Sequence, residues 1–74
     1  MEDDMKTRVR QLTNGKWVAE VFRSYSYDKE EKWRPIGTDH RGYYITYRHY
    51  EEVWVYFRWI ANRLQKGYLA ANGL

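Results

Sequence analysis

TYRHYEEVWVYFRWIANRLQK, residues 46–66, is the stretch whose reading decides the fold. Laid on a helix of 3.6 residues per turn, Tyr50, Val53, Trp54, Phe57, Ile60, Ala61 and Leu64 gather within about a third of the circumference. That spacing predicts one amphipathic helix from Thr46 to Lys66, burying a single face. The Thr46 hydroxyl suits an N-cap, because it can accept a hydrogen bond from an orphan amide of the first turn. Glu51 and Glu52 fall early and Arg63 and Lys66 late, as the helix dipole prefers, and Gly67 offers a stop.

Working outward, the preceding residues must supply whatever this helix packs against. Residues 7–12, TRVRQL, alternate apolar and polar and read as a strand; Thr13-Asn14-Gly15 signals a hairpin turn. KWVAEVFRSY, residues 16–25, is the strongest strand, followed by a polar turn over residues 26–31, SYDKEE. KWRPIG, residues 32–37, is a third and shorter strand, and Pro35, which cannot donate to a ladder, places it at an edge or a bulge. Residues 37–42 make a loop, and Tyr43-Tyr44-Ile45 leads into the helix as a short extended piece. After Gly67, Tyr68 and Leu69 either pack back on the body or fray. The expected fold is therefore α+β, a three-stranded antiparallel sheet packed on one C-terminal α-helix (β-β-β-α). Residues 6–74 form this single domain, and residues 1–5 are expected to be a disordered acidic tail.

Bulk composition narrows the class. Seventy-four residues make one small domain with a limited core. The chain has no cysteine, which rules out disulfides and thiolate metal sites and fits a reducing cytoplasm. No apolar run approaches the roughly 18 residues of a membrane span, and the acidic N-terminus, MEDDMK, does not resemble a secretory signal. The expected setting is the cytoplasm of a host cell, without membrane attachment. From its initial Met and short length, the chain is expected to be a whole protein. Of the ten acidic residues, Glu2, Asp3 and Asp4 lie in the tail, so seven acids face thirteen bases in the remainder. A basic body attracts nucleic acid or an acidic partner. Four Trp and eight Tyr exceed what so small a core can hide, so some must be exposed.

Strand parity assigns the faces. Trp17, Ala19 and Val21 turn toward the helix with Val9 and Ile36; Arg8, Arg10, Leu12, Lys16, Val18, Glu20 and Phe22 turn away. In the third strand, strict alternation from a buried Ile36 places Arg34 inside and Trp33 outside. A bulge at Pro35 would instead expose Lys32 and Arg34, and the expense of burying an unpaired Arg favours the bulge. With the bulge, the open face carries Arg8, Arg10, Lys16, Glu20, Lys32 and Arg34 as candidate nucleic-acid contacts, and Trp33, outward under strict alternation, is kept as a candidate beside them. Arg forks suit guanine O6 and N7, Lys and Arg neutralise phosphate, and Glu20 either accepts from cytosine or holds an Arg.

RVRQLTNGKWVAEV, residues 8–21, resembles the opening of the plant ethylene-response-factor DNA-binding domain, and Ile36-Gly37-Thr38 falls where that family has Leu-Gly-Thr. Phage integrase arm-binding domains share the fold, and IGTDHRGYYIT looks like the longer strand-to-helix connection of that branch. The resemblance, over roughly residues 7–66, implies three antiparallel strands, one C-terminal helix, and duplex DNA read by the outward residues of the sheet. Arg10 and Glu20 match contact positions. Thr7, Leu12, Asn14 and Phe22 stand where the family has its first Arg, another outward Arg, a Trp and a further Arg.

Other constellations point away from catalysis. His49 and Glu52, at i and i+3 of the expected helix, are two ligands and not a metal site. Asp3-Asp4 and Glu30-Glu31 lack a pocket-forming context, and no phosphate loop or nucleophile elbow occurs. No cofactor is expected, and the chain is not expected to be an enzyme. On the far side of the helix, Val55, Tyr56 and Trp59 with Arg63 form a candidate protein interface, because Trp, Tyr and Arg are the usual anchors of such surfaces. The expected function is a small DNA-binding module, phage or mobile-element encoded. The alternative is a small phage protein that binds and modulates a host protein through the sheet or through the aromatic and Arg surface of the helix, with a second copy of the chain as a further partner for that helix face.

Overall fold

The computed structural model describes residues 6–73. The expected acidic tail, residues 1–5, lies outside them. The fold is α+β: a four-stranded open antiparallel sheet in sequential order, β1 (Lys6–Gln11), β2 (Trp17–Tyr25), β3 (Asp28–Thr38) and β4 (Tyr44–Thr46), and one C-terminal helix, α1 (Arg58–Ala71). No helix among the described residues is long and apolar enough to cross a membrane. The fourth strand is the short extended piece before residue 46, which pairs Tyr44 with Thr38 and Thr46 with Ile36.

The helix departs most from the sequence reading. It begins twelve residues after Thr46, which ends β4 and caps nothing. Residues 47–57 carry aromatic and β-branched side chains of modest helix propensity. Strand contacts claim this segment instead. The Tyr47 amide donates to the Pro35 carbonyl (2.8 Å), and Val55 exchanges two backbone hydrogen bonds with Trp17 (2.7 and 2.8 Å). Of the expected periodicity only a single 3-10 turn remains there, at Tyr50–Glu52. The true helix, RWIANRLQKGYLAA, is built from stronger helix formers and buries Ala61 and Tyr68, with Leu64 between them against the core.

Gly67 therefore lies inside the helix, not beyond its end. Its missing side chain makes room for Tyr44: a Cβ built there would stand 2.1 Å from the ring. The helix ends at Asn72, whose side-chain amide donates to the Tyr68 carbonyl (2.8 Å).

The core is Ala19, Val21, Ile36 and Tyr68, with Val9, Tyr44 and Leu64 packed around it, as parity assigned for the strands. Trp17 stays half-buried at its rim, with the Arg58 guanidinium 5.6 Å from its ring. Strict alternation holds through β3: Phe22 faces Trp33, Val21 faces Arg34, and Glu20 faces Pro35. There is no bulge at Pro35. Its carbonyl accepts from Tyr47, and because N–H and C=O of a strand residue point the same way, its missing donor faces the side where β4 has ended.

The irregularity sits nearer the hairpin tip, where residues 29–31 stand opposite Ser24. Arg34 is consequently buried on the helix side, contrary to expectation, and it is not unpaired. Its guanidinium donates to the carbonyls of Arg23 (3.2 Å), Asp28 (3.4 Å) and Glu30 (2.9 Å) and to the Asp28 carboxylate (3.3 Å). The bulge supplies the acceptors that make a buried Arg tolerable.

The second sheet face is only partly open. Val18 and Glu20 point away from α1, yet both are fully buried. Residues 47–55 cross that face: a Cβ at Gly37 would lie 2.3 Å from Val53 and 2.9 Å from Tyr47, and Tyr50 bonds Glu20. An uncovered cationic sheet is replaced by a cationic strip beside this crossing segment.

Candidate functional site

The strip is organised by Glu20, in the middle of β2. Its Oε1 accepts from Arg8 Nε (2.7 Å) and Arg10 Nε (2.8 Å), both on β1. Its Oε2 accepts from Arg10 Nη2 (3.3 Å) and the Tyr50 hydroxyl (2.6 Å). The pairing register makes this possible: Arg8 stands directly opposite Glu20, and Arg10 is one step along the same face. Glu20 is inaccessible, whereas the two arginine side chains remain 40% and 41% exposed.

The electrostatics follow from this geometry. Burial alone would push the Glu20 carboxyl up, but hydrogen bonds from Arg10, Tyr50 and Arg8 outweigh it and hold the carboxyl below the usual carboxylate range. Burial, and then the bond to Glu20, push the Tyr50 hydroxyl up, so it keeps its proton and donates. One anion thus holds two cations, and the trio retains a net positive charge.

Aromatic rings line the same strip. The Arg8 guanidinium lies 3.8 Å from the centroid of Trp33, which packs against Phe22 at 5.3 Å. Arg10 lies 5.7 Å from the Tyr50 ring. Lys16 Nζ sits 4.0 Å from Trp54 and 5.1 Å from Tyr56. Beyond Trp33 a concavity of about 580 Å³ opens between the β2–β3 turn and residues 47–50.

Of the candidate contacts, Arg8, Arg10, Lys16, Glu20 and Trp33 therefore come together on one face. Glu20 acts as their holder and cannot reach a ligand. Lys32 is exposed near the hairpin tip, 3.5 Å from Asp28. Arg34 belongs to the helix side and is removed from the set. The candidate protein interface is reshaped. Val55 is half-buried in its bridge to Trp17, while Tyr56 (73% exposed) and Trp59 (58%) are bare and Arg63 is exposed. Phe57, assigned by periodicity to the buried stripe, is 59% exposed beside them.

Sequence reasoning missed Tyr27, Tyr47 and Tyr50 as members of a surface site. Tyr50 and Tyr47 were absorbed into the expected helix. Tyr27 carried a readable signal, a large aromatic in an otherwise polar turn. Among the described residues no three of His, Cys, Asp or Glu gather as a metal site. No protein-family model matches the chain, and no curated protein or solved structure is significantly similar to it.

Proposed function

We propose that the chain is a small DNA-binding module, of the kind phages and mobile elements carry, that engages DNA through the strip formed by Arg8, Arg10, Lys16 and Trp33. One observation carries this reading. Glu20 takes the Nε edges of the two arginines and only one Nη of Arg10, so both Nη groups of Arg8 and Nη1 of Arg10 have no hydrogen-bond partner among the described residues. Two half-exposed guanidinium groups, fixed at their bases and unoccupied at their tips, suit phosphate oxygens or the O6 and N7 of guanine. Lys16, held over two rings, adds a phosphate contact. The resemblance of residues 8–21 to a family that reads DNA with this face is a second support.

The test is duplex binding by fluorescence anisotropy as a function of salt. Affinity should fall steeply with salt, and Lys16→Gln should weaken binding and reduce the slope of log K against log salt by about one. Binding indifferent to both would overturn the reading.

A second reading is favoured by Tyr56, Phe57 and Trp59, three large aromatic side chains exposed within four residues of sequence. It makes the chain a protein-docking factor. If Trp59→Ala abolishes activity and Lys16→Gln leaves it intact, this second reading replaces the first.

A further inference from the structure

We propose that the concavity beside the cationic strip receives a single unpaired nucleobase, so that the preferred ligand is duplex DNA carrying a single-stranded extension. The inference rests on the DNA-binding reading and deepens it. Tyr27 supplies the first observation. Its ring is 67% exposed, yet it is held by parallel stacking on Tyr25, with centroids 5.4 Å apart and planes 4° from parallel. A largely exposed ring that is already ordered by a stacked neighbour is a ready platform for a base.

The neighbouring groups complete the site. Arg48, exposed and in no ion pair among the described residues, places its guanidinium 5.8 Å from the Tyr27 centroid, where it can meet the phosphate of the same nucleotide. Trp33 and Pro35 form the sheet side of the concavity, and Tyr50 forms its flank nearest Arg10. Asp28, the carboxylate at this margin, is offset by Lys32 at 3.5 Å and Arg34 at 3.3 Å. A volume of about 580 Å³ lies within the range of small-ligand clefts. Bases inside a duplex are stacked on each other and cannot enter a recess walled by rings. An unpaired base can, while the adjoining duplex keeps its phosphates on Arg8, Arg10 and Lys16.

The experiment compares three probes by anisotropy: a blunt duplex, the same duplex with a thymidine overhang of about four nucleotides, and that duplex with an overhang of abasic sites. The overhang should tighten binding roughly tenfold, the abasic overhang should not, and Tyr27→Ala should erase the gain while leaving the blunt duplex unaffected. Tyr27 is exposed, so its removal does not threaten the fold. Equal affinity for blunt and thymidine-tailed duplex, or an equal gain from the abasic tail, overturns the nucleobase site and leaves the DNA-binding reading standing. Absence of binding to every probe overturns both.

Discussion

Glu20→Ala should cost the domain about 3 kcal/mol, because removing one partner of a buried ionic cluster strands the groups that faced it. Arg8 and Arg10 can still turn to water, so the loss falls at the lower end for such clusters; the Tyr50 hydroxyl loses its acceptor as well. For a chain of this size a drop of more than about 10 °C in melting temperature follows. Glu20→Gln keeps the shape and one acceptor and should cost less. It also isolates the pH dependence. The folded carboxyl lies below its ordinary value of about 4.3, so its contribution is complete above that pH and is lost as pH falls through the lower, folded value. Denaturant midpoints measured from neutral pH downward should therefore fall more steeply in the wild type than in Glu20→Gln. Asp28 and Asp39, also held low, titrate in both proteins and cancel in the difference. Parallel curves would mean that Glu20 is not the anion of this cluster.

The second large effect is expected at Gly67. By helix propensity alone, Gly67→Ala in the middle of α1 should stabilise by about 1 kcal/mol. The structure predicts the opposite sign. The new methyl would stand 2.1–2.6 Å from three carbons of the Tyr44 ring, so the ring or the helix must move, at an overpacking cost of about 1–3 kcal/mol. A net destabilisation of up to about 2 kcal/mol in a urea titration is the expected result. A double-mutant cycle assigns its cause. In a Tyr44→Ala background, Gly67→Ala should become neutral or stabilising, a coupling of at least about 1 kcal/mol between residues in contact. Additive effects would place Tyr44 elsewhere.

The first hairpin signal, the faces of β1 and β2 and the cationic row were legible because parity in a strand is a local property, whereas the expected turn over residues 26–31 is mostly strand, β3 beginning at Asp28. Val9, Ala19, Val21 and Ile36 meet the helix, and Arg8, Arg10 and Glu20 oppose it, as alternation alone requires. The helix start was not legible. Val53 and Phe57 satisfy helical spacing, yet Val53 is buried on the opposite sheet face, against Gly37, and Phe57 is exposed. Periodicity says that residues could share a face; it does not say that a distant Trp17 will claim the backbone of Val55 first. Arg34 misled for a related reason. Its burial looked prohibitive because the bulge that supplies its acceptors is created by pairing, which no local pattern announces.

The way Arg34 gathers carbonyls from both arms of the β2–β3 hairpin bears on how this chain can diversify. Residues 40–42, at the opposite end of the sheet, are exposed, so descendants of the sequence can lengthen or replace that connection freely. Each residue inserted between 28 and 31 would instead pull an acceptor off a guanidinium sealed from water. Variation should accumulate at one tip of the molecule while the other, which presents Tyr27, stays fixed in length.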